Sequence, residues 1–243
     1  MSEQHYIYRI VRDESPESPR EWDNPGKMVC FHWRRNLGDE SPRCSPDEYL
    51  SRLACEADPK LADTLEWLEE RGLDERYKQA VGRSLGRNYL FRELFLYEHS
   101  GLSMSSGTFE YPCDSSIFGF IYVAKDKIRQ EYGFKVLTKA REQRILGYLE
   151  DEVKTYDDFL TGQVYGYRIF EVPEGADPEE LSEEEIEDLE EVDSLWSIYG
   201  EDYAEQEAKA SVAYFEEHHA ERMFERRQAE FREAGQQDLP LAA

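Results

Sequence analysis

Two kinds of side chain in this sequence could do chemistry: a run of carboxylates, and a scatter of cysteines and histidines. The carboxylates lie between Glu174 and Asp193, where 12 of 20 residues are Asp or Glu and none is Lys or Arg. Widened to 142–205, the count is 22 acidic against 3 basic residues, a net of −19. A field of that sign draws in cations and basic surfaces. Asp177 and Pro178 offer a helix start, and Leu181, Ile186 and Leu189 form a thin apolar stripe, so the run reads as a short helix studded with carboxylates. A helix advances about 1.5 Å per residue and duplex DNA carries one charge per about 1.7 Å of axis, so such a helix can imitate a phosphate backbone. The partner-binding candidates are therefore Glu179, Glu180, Glu183, Glu184, Glu185, Glu187, Asp188, Glu190 and Glu191. The competing reading is a solvated acidic loop that only aids solubility.

Cysteine and histidine offer two further chemistries. Cys30 and His32 sit two apart, on one face of a strand, while His99, Cys113 and Asp114 gather in a later Ser/Gly-rich loop; together they are ligand types that zinc accepts. None has the paired spacing of a structural zinc site. Cys113 with His99, oriented by Asp114 or Glu98, would instead be a thiol nucleophile and its base. The 14 positions separating them have no motif value, and neither a nucleophile elbow nor a helix N-terminus is there to activate the thiol. A buried thiol beside a hydrogen-bonded imidazole fits these residues better. The loop GLSMSSG has neither a P-loop lysine nor the GxGxxG order. Adjacent His218 and His219 point about 100° apart on a helix and read as solvated positions, not as a joint metal site. No cofactor or metal is expected.

The elements that must position these groups follow from composition and periodicity. The chain has 243 residues, 40% hydrophobic and 13% aromatic, enough for a substantial core. Its 54 acidic and 29 basic residues give a net charge of −25, which argues against direct binding to nucleic acid or an anionic membrane and for a basic partner. The N-terminus MSEQHYIYRI lacks a signal-peptide pattern, no run of 18 apolar residues is present, and the four cysteines form no CxxC pair, so a cytoplasmic protein with reduced thiols is expected.

Alternation predicts strands over 5–11, 28–33, 95–97, 118–123, 163–172 and 194–199, the first two antiparallel to each other and the last two partners. Helices are expected over 46–57 behind the Ser45 cap, over 59–72 and 74–85, over AKDKIRQEYG, over 138–156, and as one long amphipathic helix over 201–234. The fold class is therefore α+β, a largely antiparallel sheet with flanking helices and a long C-terminal helix. The expected division is an α+β domain over 1–200, holding the helical segment 46–85 and the acidic insert 174–193, followed by the helix 201–234. Twelve aromatics on these strands, among them Tyr6, Phe31, Trp33, Phe120, Tyr122, Tyr165 and Trp196, should lie mostly on covered faces.

Five segments, PESPREWDNPGKMVCFH, LFLYEHSGLSMSSGTF, PCDSSIFGFIYVAKDKIRQEYG, VKTYDDFLTGQVYGY and VDSLWSIYG, resemble in this order blocks of a family of uncharacterised phage and mobile-element proteins. The resemblance spans about Tyr6 to Gly200, skipping the segment 46–85 and the acidic insert. Where the family tends to read PWDSGQVGFIYV and DSCWGFYG, this chain has PCDSSIFGFIYV and DSLWSIYG, so no fixed thiol is shared. The resemblance implies a phage or plasmid accessory setting and no activity. Joined to the acidic run, it leads to an expected inhibitor of a host defence nucleoprotein complex, anti-CRISPR or anti-restriction, acting as a DNA mimic on a basic nucleic-acid-binding protein of the host. The alternatives are an adaptor for another basic host protein, or a Cys/His enzyme or zinc protein.

Overall fold

The structure, a computed structural model, describes residues 5–98, 101–107, 116–178 and 180–237. It is α+β, and its named strands all pair antiparallel. The chain runs through β1 (Tyr6–Arg12), a 3-10 turn (Pro19–Glu21), β2 (Lys27–Cys30), α1 (Pro46–Ala57), α2 (Leu61–Glu69) and α3 (Asp74–Asn88). There follow β3 (Tyr89–Glu98), β4 (Leu102–Ser105), β5 (Ser116–Ala124), α4 (Lys125–Glu131) and α5 (Lys139–Thr161). The remainder holds β6 (Val164–Glu171), α6 (Glu183–Glu187), β7 (Glu191–Tyr199), α7 (Glu201–Glu217) and α8 (His219–Gln237).

These elements form two units. A central unit is Glu17–Gly162; a flanking unit joins Met1–Pro16 to Gln163–Ala243. The division differs from the expected 1–200 and 201–234, because α7 is not an appendage: its Ala204 and Ala208 are fully buried against the flanking sheet.

The central unit is a four-stranded sheet, ordered β2-β5-β3-β4, with helices on both faces. Alternation along β5 serves both: Ile121 and Val123 join Met28, Leu94, Ile145, Leu149 and Val153 on the α5 side, while Phe120 and Tyr122 join Val29, Tyr49, Leu53, Leu65 and Leu85 on the α1–α3 side. Gly119 lies so close to β2 that a Cβ there would sit 2.2 Å from the Val29 carbonyl oxygen, which is why this strand centre carries no side chain. The caps of Ser45 and Thr138 hold as expected, accepting the Glu48 and Arg141 N–H groups, whereas α5 runs past the expected end at 156 to Thr161, where Gly162, at φ +72°, closes it. Buried Ser84 donates to the Ala54 carbonyl and ties α3 to α1. Arg20, buried, donates to Asp39, Glu152 and the Gly26 carbonyl, anchoring the loop before β2 onto α5.

The flanking unit is a three-stranded sheet, β1-β6-β7, with α7 across one face. Tyr165, Tyr167 and Ile169 of β6 face α7 together with Tyr6 and Ile198, and the two alanines let the helix lie close over them. On the opposite side of β6, Trp196 packs onto Gly166, where a Cβ would meet its ring at 2.4 Å.

Three expectations are corrected. β1 and β2 do not pair: β1 pairs with β6, Tyr6 opposite Glu171, and β2 pairs with β5, Lys27 opposite Tyr122. Local alternation identifies a strand but not its partner, and β2 ends at Cys30, so Trp33 lies off the sheet and 80% exposed. The C-terminal helix is two helices broken at His218 (φ −101°, ψ 7°), because contacts distant in sequence seize the break: Glu216 accepts the N–H groups of His5 and Tyr6. His219 is accordingly not a solvated position; its ring stacks on His5 at 3.8 Å and its Nδ1 meets the Tyr6 hydroxyl at 3.0 Å.

Of the twelve strand aromatics, Tyr6, Phe95, Phe120, Tyr122, Tyr165 and Tyr167 are buried, while Trp33 and Trp196 are exposed. Phe120 touches the rings of Phe31, Tyr49 and Phe91 beneath α1. Phe120→Ala should lower stability by about 3–5 kcal/mol in urea unfolding; a loss below about 1 kcal/mol would mean that α1–α3 do not close over this face.

Candidate functional site

Charge divides between the units as unevenly as their folds differ. The flanking unit holds 27 acidic and 8 basic residues, net −19; the central unit, with 27 acidic and 21 basic, is net −6. The excess of the whole chain is therefore a property of one unit, and within it of the connection from β6 to β7.

That connection is not one acidic helix. After β6 the described residues 174, 175, 178 and 180 lie in turns, α6 spans only Glu183–Glu187, and the chain then enters β7 at Glu191. The helix starts at Ser182, not at Asp177, because Ser182 and Glu185 complete a capping box: the Ser182 Oγ accepts the Glu185 N–H, and the Glu185 carboxylate accepts the Ser182 N–H at 2.9 Å. Five helical residues advance only about 6 Å, so carboxylates at phosphate spacing cannot run along this helix alone. Ile186, 2% exposed, pins it down; Leu181 and Leu189 are half-buried beside it.

Two arginines organise the carboxylates. Arg168, on the β6 face opposite Tyr167, donates from Nη1 to Glu187 and from Nε to Glu191, both at 2.6 Å. Arg226 of α8 donates to Glu171 at 3.3 Å and to Glu190. The bonds from Glu187 and Glu191 hold the Arg168 guanidinium above its ordinary pKa, and the Arg168 bond holds Glu191 below the usual carboxylate range. The Ser182 hydroxyl and N–H do the same for Glu185.

The nine candidates are thus not equivalent. Glu185 is spent on the cap, Glu187 and Glu191 on Arg168, and Glu190 on Arg226; Glu179 lies outside the described residues. Glu180, Glu183, Glu184 and Asp188 are exposed, and their carboxylates have no partner among the described residues. Of the nine candidates, these four are free for a cationic surface, beside other exposed carboxylates of the unit such as Glu174 and Asp202. The organising residues Arg168, Arg226 and Ser182 were missed from the sequence, although Arg168 had a signal: it is the one cation between Lys154 and Lys209. Beside this surface α8 and the end of the insert border an open cavity of about 700 Å³, its lining drawn from both signs and both polarities, including Glu171, Glu190, Arg226, Met223 and Pro173.

The cysteine and histidine candidates fare differently. Cys30 is fully buried, and burial pushes its thiol up to about 12, which keeps it protonated. His32 accepts the Arg34 and Arg35 N–H groups on Nδ1, so its Nε2 carries the proton in the neutral ring and faces Glu98 at 3.5 Å. His99, Cys113 and Asp114 lie outside the described residues. Among the described residues no group of three or more His, Cys, Asp or Glu is placed to hold a metal ion, and no helix is long and apolar enough to cross a membrane. Compared with protein-family models, with curated proteins and with solved structures, the chain finds no match in any of the three.

Arg168→Gln should release Glu187 and Glu191, speed amide hydrogen exchange over 186–191, and cost about 1 kcal/mol, since exposed pairs contribute about 0.2–1 kcal/mol each. Because Glu191 is held below its ordinary value, the stabilisation is fully present above about pH 4.3 and is lost as pH falls through the lowered folded value. The gap between wild type and variant should therefore close in acid. An equal gap at pH 7 and pH 2 would show that Arg168 acts by packing alone.

Proposed function

We propose that this chain is a binding protein that presents the carboxylates of its flanking unit to the basic nucleic-acid-binding surface of another protein, as a mimic of DNA. The observation that carries the reading is the pairing of a net charge of −19 in one unit with exposed carboxylates, Glu180, Glu183, Glu184 and Asp188 among them, that have no partner among the described residues, on a segment held by a cap, a buried isoleucine and two arginines. A solubilising loop has no need of such fixtures. A mimic does, because carboxylates held at fixed positions bind without first losing the freedom of the chain that carries them. The likeness of five segments to phage and mobile-element proteins supports a setting in which the target is a host defence complex, either an RNA-guided nuclease or a restriction enzyme.

The mimicry is of charge density and not of a regular helical phosphate row, since α6 is too short to supply one. Long-range attraction should then govern the encounter rate, and screening over about 8 Å at physiological salt should weaken it. Partners with a groove lined by Lys and Arg are favoured over flat basic surfaces, because low-dielectric walls focus the field.

The test is displacement of a fluorescent DNA duplex from a restriction endonuclease or an RNA-guided nuclease, at two salt concentrations. The wild type should displace the duplex, less well at higher salt. Reversal of Glu180, Glu183, Glu184 and Asp188 to Lys should abolish displacement with the fold intact, as each surface change moves stability by no more than about 0.5 kcal/mol. The reading fails if the fourfold variant displaces DNA as well as the wild type, or if neither protein displaces it from any such nuclease.

A further inference from the structure

The central unit carries a pocket of about 330 Å³ whose lining is unlike the acidic face. Trp22 and Pro25 stand on the loop between β1 and β2, Tyr132 follows α4, and α5 contributes Tyr148, Asp151 and Thr155. Positions 148, 151 and 155 recur every three to four residues, so α5 presents them on one side. Trp22 and Tyr132 remain 46% and 44% exposed. Single exposed apolar residues are ordinary, but aromatic rings converging on one opening mark a binding site.

The wall that bears Trp22 is fixed in advance. Ser18 caps the 3-10 turn, and the Asn24 amide donates to the carbonyls of Pro19 at 2.7 Å and Trp22 at 3.2 Å. Lys127 reaches the carbonyls of Asn24 and Pro25 at 3.4 and 3.5 Å, and buried Arg20 secures the Gly26 carbonyl at 2.7 Å. A ring on so constrained a backbone needs little further ordering to receive a ligand.

Most polar groups of the pocket are already committed, the Tyr132 hydroxyl and the Asp151 carboxylate being exceptions among the described residues. Glu152 is held by Arg20 at 2.7 Å and by the Gly26 N–H at 3.0 Å, the Thr155 hydroxyl donates to the Asp151 carbonyl, and Arg144 donates to the Tyr148 hydroxyl at 2.5 Å. The Asp151 carboxylate is exposed and has no partner among the described residues. Aromatic faces attract cations through their quadrupole, most strongly cations that shed water cheaply. A free lysine ammonium is strongly hydrated and needs several acceptors, and here Glu152 is already held by Arg20 while the Asn24 and Pro25 carbonyls face Lys127. Alkyl groups on the nitrogen remove both demands while keeping the charge that Asp151 complements.

We propose that this pocket binds an alkylated ammonium group, either a free quaternary amine or the side chain of a methylated lysine, with Trp22, Tyr132 and Tyr148 as its walls and Asp151 as counter-charge. The proposal rests on residues apart from the acidic face and stands whether or not that face mimics DNA.

The experiment is calorimetric titration of the full chain with four probes: choline, a peptide containing trimethyllysine, the same peptide with unmodified lysine, and the neutral isostere 3,3-dimethylbutanol. Saturable binding by choline or by the methylated peptide is expected, at least about tenfold tighter than the unmodified peptide or the alcohol. Whichever of the two charged ligands binds more tightly identifies the source, small molecule or protein side chain. Trp22→Ala and Tyr132→Ala should each weaken that binding about tenfold or more and Asp151→Asn by a smaller factor, with unchanged circular dichroism because all three side chains are exposed. No saturable binding by any ammonium probe up to about 50 mM overturns the site, that being an affinity too weak to matter. Equal binding of the alcohol overturns the cation, and binding that survives Trp22→Ala together with Tyr132→Ala overturns the assignment of the walls.

Discussion

The junction of α6 with β7 on the acidic face depends on one guanidinium, that of Arg168. Between Lys154 and Lys209 Arg168 is the only cation, and it sits on the middle strand of the flanking sheet with Glu187 of α6 and Glu191 of β7 in its fork. Without it two carboxylates would face each other across the start of β7 with nothing between them. Its guanidinium carbon also lies over the Phe170 ring, 4.7 Å from the centroid, so the cation is placed by an aromatic face on its own strand as well as by its anions.

A segment so dense in like charge resists folding, and what counters that resistance is modest and local. A capping box contributes about 1 kcal/mol, an exposed ion pair less than that, and the buried Ile186 about 1.5–3 kcal/mol. The sum is only a few kcal/mol, and further pairing would hold the segment more firmly while leaving fewer free carboxylates. Among the described candidates Glu180, Glu183, Glu184 and Asp188 are left over, on the exposed side of α6 or in the turns at its ends.

The central unit uses the same device in a drier place. Arg20 is nearly enclosed, and its bonds to Asp39 and Glu152 leave no fork unfilled, while burial raises the Glu152 carboxyl against the opposing pull of the guanidinium. Removing either partner there would strand a buried charge, a larger penalty than any at the acidic face. The loop it secures is the one that presents Trp22, so a structural ion pair and a ligand pocket share one anchor.

What the sequence determined by itself is whatever depends on neighbours along the chain. Ser45 and Thr138 marked helix starts, and the alternation of 118–123 and 163–172 marked strands, because caps and side-chain periodicity act within a few residues. The net charge and its concentration in the insert were equally plain. What only the tertiary structure decided is who meets whom. Strand β1 looks as ready to pair with β2 as with β6, and the choice of β6 follows from burial of Tyr6 with Tyr165 and Tyr167 beneath α7, more than 150 residues away along the chain. The break at His218 is invisible in a stretch without Gly or Pro, since it is made by His5 and Tyr6 binding Glu216. Of acidic residues that look alike in the sequence, Glu187, Glu190 and Glu191 were made structural by the positions of two arginines, one on a strand before the insert and one on a helix after it, and no local pattern encodes such a meeting.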